Sequence, residues 1–260
     1  MPVCRLRTLP RTKWSEAAAN AVSVNPANQP DGMEELPNAD DEDGYKLAVD
    51  VTRYWGKNGV KLTVGFLDNP PADLCARILE HLNAWNKDAR VEFVASKVDP
   101  QVRIARLTDR ESNGQGGYWS YLGTDILLAK VDEPTMNFEG FTMSTPEREF
   151  HRVVRHEGGH TLGFPHEHMR KELIARLDRK KVISAYMKSQ GWSEQEVINQ
   201  LLTPLEESSI LGTPGSDQTS IMCYQVPGEL TKDGEPILGG LDINDLDYAF
   251  AAGVYPKTQA

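Results

Sequence analysis

The eleven residues 156–166, HEGGHTLGFPH, constrain this chain more than any other stretch. They gather three of its six histidines with a glutamate at spacings that make sense only together. On a helix, His156 and His160 stand one turn apart on one face, so both imidazoles reach toward a single metal ion. Glu157, beside the first, can touch a water on that metal. Gly163 ends the helix and turns the chain. The turn brings His166 back as a third nitrogen ligand and leaves the fourth position of a tetrahedral zinc open to water and substrate. Structural zinc sites are closed by four protein ligands, so three with one open position make a catalytic arrangement.

A site of this kind needs a core to hold it and a cleft to serve it. With 260 residues, 39% hydrophobic and 25% charged, the chain reads as a soluble globular protein, one domain of two lobes about a cleft. The formal net charge of −10 argues against nucleic acid or an anionic membrane surface as partner. No stretch approaches the roughly 20 apolar residues of a membrane span. Cys4, Cys75 and Cys223 are an odd number without a CxxC pair, which does not make a disulfide framework. The N-terminus, MPVCRLRTLPRTKW, has basic residues but no apolar run behind them and is not a secretory signal as it stands. The expectation is a cytoplasmic protein, or one exported without a classical signal, or a secreted one whose leader has been removed.

Residues 1–59 read as an N-terminal arm ahead of a catalytic domain at 60–256, itself divided into lobes at 60–163 and 164–256. Over 1–45 the arm is rich in Pro, Asn, Asp and Ala, with NPANQPDG at 25–32 and ADDEDG at 39–44, and is expected to be loosely structured. Lying over the cleft as a pro-segment would, it could hold the site latent, with the Cys4 thiolate on the zinc in place of water. From Val60 the pattern predicts a strand in VKLTVGFLD, then an amphipathic helix with Leu74, Ile78, Leu82 and Trp85 on its apolar stripe. His81 is expected on that helix's surface. Strands follow at 91–98 and 102–107, then 113–128 opens with a glycine turn and continues as an aromatic strand, and another strand is expected at 135–141, which predicts a mixed sheet backed by a helix. The metal helix is predicted to start with Ser144 or Thr145 as N-cap and Pro146 and Glu147 in its first turn. Beyond His166, two charged helices divided by Gly191 and Trp192 lead through a loop at 208–220 to SIMCYQVPG. A last helix follows, with Asn244 as N-cap and Asp247 as its reciprocal partner.

HEGGHTLGFPH matches the metzincin pattern HExxHxxGxxH at every fixed position, and SIMCY resembles that clan's methionine turn. Glu167 after the third histidine, with His168 and Arg170, makes GFPHEHMR similar to the GFxHEHxR stretch of astacins. YWSYLG at 118–123 looks like the astacin edge strand, and INDLDYAFAAGVYP is similar to the final helix of astacins and matrixins. Two features depart from the family: Gly117 stands where a bridging cysteine is usual, and the DR pair appears displaced as Asp178 and Arg179. The resemblance implies an α+β zincin fold, with a mixed twisted sheet, backing helix and active-site helix in the N-terminal lobe, a largely irregular and helical C-terminal lobe, and a cleft between them. It implies an endopeptidase with one Zn2+ on His156, His160 and His166, Glu157 as general base and acid, and Tyr224 near the metal. Gly163, Met222 and Glu167 would support the site. Trp119, Ser120 and Tyr121 would pair with extended polypeptide substrate. His151 and His168 fall outside the ligand spacing, and Cys223 is expected to pack away from the site. Two other readings stay open: a non-proteolytic protein that keeps the zinc site as a scaffold for a partner, and a zinc hydrolase of non-peptide amides.

Overall fold

The computed structural model describes residues 4–28, 48–50, 52–112, 114–205, 210–212 and 215–257. Its first elements correct the expectation of a loosely structured arm, since Cys4–Arg7 forms a strand, β1, and Trp14–Val24 a helix, α1. The alanine-rich run of α1 has high helix propensity. Ala17 and Ala21 let the helix settle closely, and it packs on the turn at Gly123–Leu128. Composition misled here because propensity is local, whereas β1 exists through a partner more than a hundred residues away. The ADDEDG run and the second half of NPANQPDG, 29–32, lie outside the described residues.

After a short strand, β2 (Ala48–Asp50), the predicted strands and backing helix appear in order: β3 (Val60–Phe66), α2 (Ala72–Leu82), β4 (Val91–Ala95), β5 (Val102–Ala105), β6 (Tyr118–Tyr121) and β7 (Met136–Phe138). They make a mixed six-stranded sheet in the order β1-β6-β7-β5-β3-β4, in which only the β6–β7 pairing is antiparallel. The apolar stripe of α2 is buried at Leu74, Ile78 and Leu82, and Trp85 just beyond it is fully enclosed. His81 lies in that buried face as well, against the Phe150 ring at 5.2 Å, which corrects its expected place on the surface. Its position one turn from Ile78 and beside Leu82 puts it under the site helix.

That helix begins with α3 (Glu147–Glu149), widens over Phe150–Arg155 into turns closed by i→i+5 bonds, and continues as α4 (His156–Thr161). Its N-cap is Pro146, not Ser144 or Thr145. Pro146 itself takes the extended backbone of a cap, and the residue before a proline is steered away from helix. Thr145 instead closes the preceding turn by accepting from the Thr142 N–H at 3.0 Å.

The first of the two charged helices predicted beyond His166 is in fact two, α5 (Lys171–Arg176) and α6 (Arg179–Gln190). They are split at Asp178, whose carboxylate caps α6 and whose N–H donates to the Leu230 carbonyl at 2.8 Å. Gly191, at φ +70°, stops α6, and a capping box on Ser193 and Glu196 starts α7 (Glu194–Val197), which continues in wide turns to Leu202. Strand β8 (Ile210–Gly212) pairs antiparallel with β2, and α8 (Asp245–Val254) closes the chain with the predicted Asn244–Asp247 box. The architecture is α+β. Among the described residues no helix is long and apolar enough to cross a membrane.

Candidate active site

The helix carrying His156 and His160 is pressed between Trp85 and the methionine turn. The Trp85 indole donates to the Arg155 carbonyl at 2.8 Å. A Cβ on Gly159 would come 2.5 Å from Met222 Sδ and 3.0 Å from Trp85 Cζ2, so the second glycine of HEGGH is what allows this approach. Gly163, at φ +94°, then reverses the chain, and the Phe164 N–H returns to the Gly159 carbonyl at 3.0 Å. The reversal lays His166 against His160.

Potential ligand nitrogens of His156, His160 and His166 lie within 4.8 Å of one another, and all three rings are buried. His156 Nδ1 faces the Ile221 carbonyl at 2.7 Å, and His160 Nδ1 faces the Phe164 carbonyl at the same distance. A carbonyl only accepts, so each Nδ1 carries the proton and each Nε2 presents its lone pair inward, the tautomer that a metal requires. His156 Nε2 finds no hydrogen-bond partner among the described residues. His160 Nε2 and His166 Nε2 approach to 2.9 Å, which calls for a shared proton or a cation. Burial drives His156 down to about 4 and the other two well below their ordinary range, so all three imidazoles are neutral. Three neutral, convergent imidazoles suit zinc.

Glu157 is wholly buried beside them. One carboxylate oxygen accepts from the Ser120 hydroxyl at 2.5 Å, while Oε1 has no partner among the described residues. Burial pushes its acid strength down, to a pKa of about 8. Ser120 therefore points from β6 toward Glu157, whereas Trp119 and Tyr121, its neighbours on the strand, point to the other face. The outer edge of β6 is taken by β1, running parallel, with Arg5 opposite Trp119 and Arg7 opposite Tyr121. The Cys4 thiol is brought to the same place: it, His156 and Glu157 offer ligand atoms within 4.8 Å of one another. Burial, and then the nearby Glu157, push that thiol well above its usual range. A cavity of about 460 Å3 opens beside His156, walled by Cys4, Tyr186, Ile221, Tyr224 and Leu230.

The Tyr224 ring centroid lies 4.3 Å from that of His166, and the phenol oxygen has no partner among the described residues. His168 stacks on Tyr224 at 4.2 Å and meets the Gln200 carbonyl through Nε2 at 3.1 Å, outside the three-histidine cluster. His151 is elsewhere, paired with Asp242 at 2.7 Å. Cys223 is buried, its thiol toward the Tyr224 carbonyl. Glu167 is buried under the site, its N–H on the Met222 carbonyl at 2.9 Å and a carboxylate oxygen accepting from Asp217 N–H.

Three contributors escaped the sequence reading: Ser120 as the partner of Glu157, Gln200, and Asp247 beyond its capping role. Asp247 accepts from Ser220 Oγ (2.7 Å), Ile221 N–H (2.9 Å) and Asn244 N–H (3.1 Å), so the last helix holds the residue whose carbonyl orients His156. Only the capping pair is visible as a pattern in the sequence. Burial raises Asp247 to about 6, against an ordinary value near 4. The folded protein thus holds this proton more tightly than the unfolded chain. The stabilisation is complete below about pH 4 and is lost as pH rises through about 6, on the order of 3 kcal/mol. Asp247→Asn, with its oxygen toward the two N–H groups and its amide toward Ser220, should abolish this part of the pH dependence. Denaturant midpoints of both proteins at pH 4.5, 5.5 and 7 check it, and parallel curves would refute it.

Among solved structures, myroilysin resembles this chain with 30% identity and a TM-score of 0.74, over 82% of this chain and 100% of that one. A crystal structure of myroilysin matches at 29% identity and TM-score 0.58, over 87% and 100%. High choriolytic enzyme 1, a hatching enzyme zinc-protease from the medaka fish Oryzias latipes, matches at 17% identity and TM-score 0.50, over 78% and 94%, and so shares the fold. No family model and no curated protein sequence matches.

Proposed function

Since the chain belongs to the astacin-like zinc metalloproteases of the metzincin clan, we propose that His156, His160 and His166 hold its zinc and that Glu157 moves the proton in peptide-bond hydrolysis. It is a zinc metalloendopeptidase. The observation that carries the assignment of residues is the pair of carbonyls, from Ile221 and Phe164, that fix His156 and His160 in the ligand tautomer. Zinc bound there supplies Lewis acidity and brings the pKa of a coordinated water toward neutrality.

The remaining roles belong to the chain's own side chains. Glu157 takes the proton of the attacking water at its unpartnered Oε1 and returns it to the leaving amine, while Ser120 holds the other oxygen in place. Tyr224, its phenol buried and unpartnered among the described residues, donates to the oxyanion. Met222 packs as the floor, Gly163 makes the return turn, and Glu167 braces the methionine turn from below. Extended polypeptide lies along Trp119, Ser120 and Tyr121, where main-chain pairing gives affinity and side-chain pockets give selectivity. Residues 1–59 act as a pro-segment to the catalytic domain at 60–256, with β1 in the substrate's place and Cys4 at the metal.

A denatured protein mixture tests the reading. Cuts should appear with the zinc-loaded protein once the arm is released, disappear after chelation, and return with added zinc; no cuts in the loaded protein would end it. Tyr224→Phe should lower kcat by about 10²–10³-fold with zinc content unchanged. Loss of zinc in that variant would instead make Tyr224 a structural ligand.

A further inference from the structure

Strand β1 shows how this cleft grips an extended chain, and the grip has two sides. One edge of Cys4–Arg7 pairs with β6. On the other edge, the Gln200 side chain accepts from the Leu6 N–H at 3.0 Å and donates to the Leu6 carbonyl at 2.9 Å. The N–H and C=O of one residue in an extended chain point to the same edge, so a primary amide satisfies both, whichever way the chain runs and whatever its side chain is. Gln200 is itself fixed at the centre, because its own carbonyl faces His168 Nε2, and His168 stacks on Tyr224.

Side chains of β1 alternate between two surroundings. Cys4 meets His156 and Glu157. Arg5 lies over the Trp192 ring at 5.2 Å, and Arg7 over Trp119 at 4.3 Å and Tyr121 at 5.4 Å, with Gln115 accepting from its guanidinium. The three rings are buried under the strand, and Trp119 and Tyr121 are set edge to face, so the shelf is rigid and shielded. Shielding strengthens the attraction of a cation to a ring face. The net charge of −10 favours a basic occupant over an acidic one.

We propose that Gln200 and β6 form a two-sided backbone clamp for polypeptide in the cleft, and that Trp119, Tyr121 and Trp192 form a shelf selecting Arg or Lys on alternate residues. The preferred occupant is then an extended segment of the form Arg-x-Arg. This rests on the reading of the cleft as a polypeptide site, but its test needs no turnover.

In the full-length protein, alkylation of the Cys4 thiol, followed by the mass of the Cys4-containing fragment, reports how often β1 leaves the clamp. Gln200→Leu should speed labelling about tenfold or more, and Arg5→Ala with Arg7→Ala by a similar factor. Gln200→Glu, whose ionised carboxylate sets an acceptor against the Leu6 carbonyl, should speed labelling at least as much as Gln200→Leu. Buried Cys223 staying unlabelled shows that the fold is intact. An added Arg-Leu-Arg peptide should speed Cys4 labelling at about tenfold lower concentration than an Ala-Leu-Ala peptide of the same length. Wild-type labelling rates in the variants would overturn the clamp, and equal effects of the two peptides would overturn the shelf. Absence of cleavage activity would count against the peptidase reading alone and leave these rates as they are.

Discussion

Glu157→Gln protein is expected to keep its zinc and cut polypeptide about 10²–10⁴-fold more slowly than wild type. The substitution preserves the shape of a side chain that is wholly buried and hydrogen-bonded to Ser120, so the packing of the helix is retained. What it removes is the ability of Oε1 to accept a proton and give it back. The histidines are oriented by the Ile221 and Phe164 carbonyls, neither of which depends on Glu157. Zinc content by elemental analysis should therefore equal that of wild type while kcat collapses. A variant that loses zinc in proportion to activity would show that Glu157 is part of the metal's support. A variant with near-normal kcat would remove it from the chemistry altogether.

The second large effect is expected at Cys4. In the full-length protein, Cys4→Ala should raise the initial rate on a small peptide substrate by about tenfold or more, a gain that wild type reaches only when the arm is released. The thiol stands with His156 and Glu157 in one cluster, and burial beside Glu157 disfavours its thiolate unless a cation compensates. Removing the sulfur takes away the one side-chain atom of β1 suited to bind zinc and leaves the backbone pairing, the Gln200 clamp and the arginine contacts to hold the strand. Equal initial rates for Cys4→Ala and wild type would exclude the thiol from latency. Slower alkylation of Cys4 in zinc-loaded than in zinc-stripped wild type would identify the metal as what the thiol holds.

How much of this was readable before the fold was known differs with the kind of interaction. His156, Glu157, His160 and Gly163 belong to one helix and its turn, so their spacing carries their geometry. Strands β3 and β4 and the stripe of α2 were legible because each buries a periodic face, whereas β5, β6 and β7, buried almost throughout, were legible from their β-branched and aromatic residues. The Asn244–Asp247 box is local as well. What was illegible depends on distant partners. β1 is a strand only against β6, the Ser120–Glu157 bond joins residues 37 positions apart, and Gln200 meets Leu6 across 194. The second duty of Asp247, holding Ile221 and through it His156, is of the same kind. His81 misled because a polar residue beside an apolar stripe reads as surface, whereas Arg155 and Glu147 reach it in its buried place.

The only covalent link between the parallel strand at the sheet's edge and the rest of the described protein is the continuity of the chain, since Cys4 is free. A tether of this sort supplies its segment at an effective concentration on the order of millimolar, which a free peptide must approach in order to compete. One backbone scission between Arg7 and Trp14 turns a unimolecular equilibrium into a bimolecular one, and the short fragment washes out on dilution. A scission beyond α1 leaves the fragment its helix contacts with the Gly123–Leu128 turn and a slower departure. Activation in either case requires no destruction of the inhibitory residues, so the same fragment, added back in excess, should silence the enzyme again.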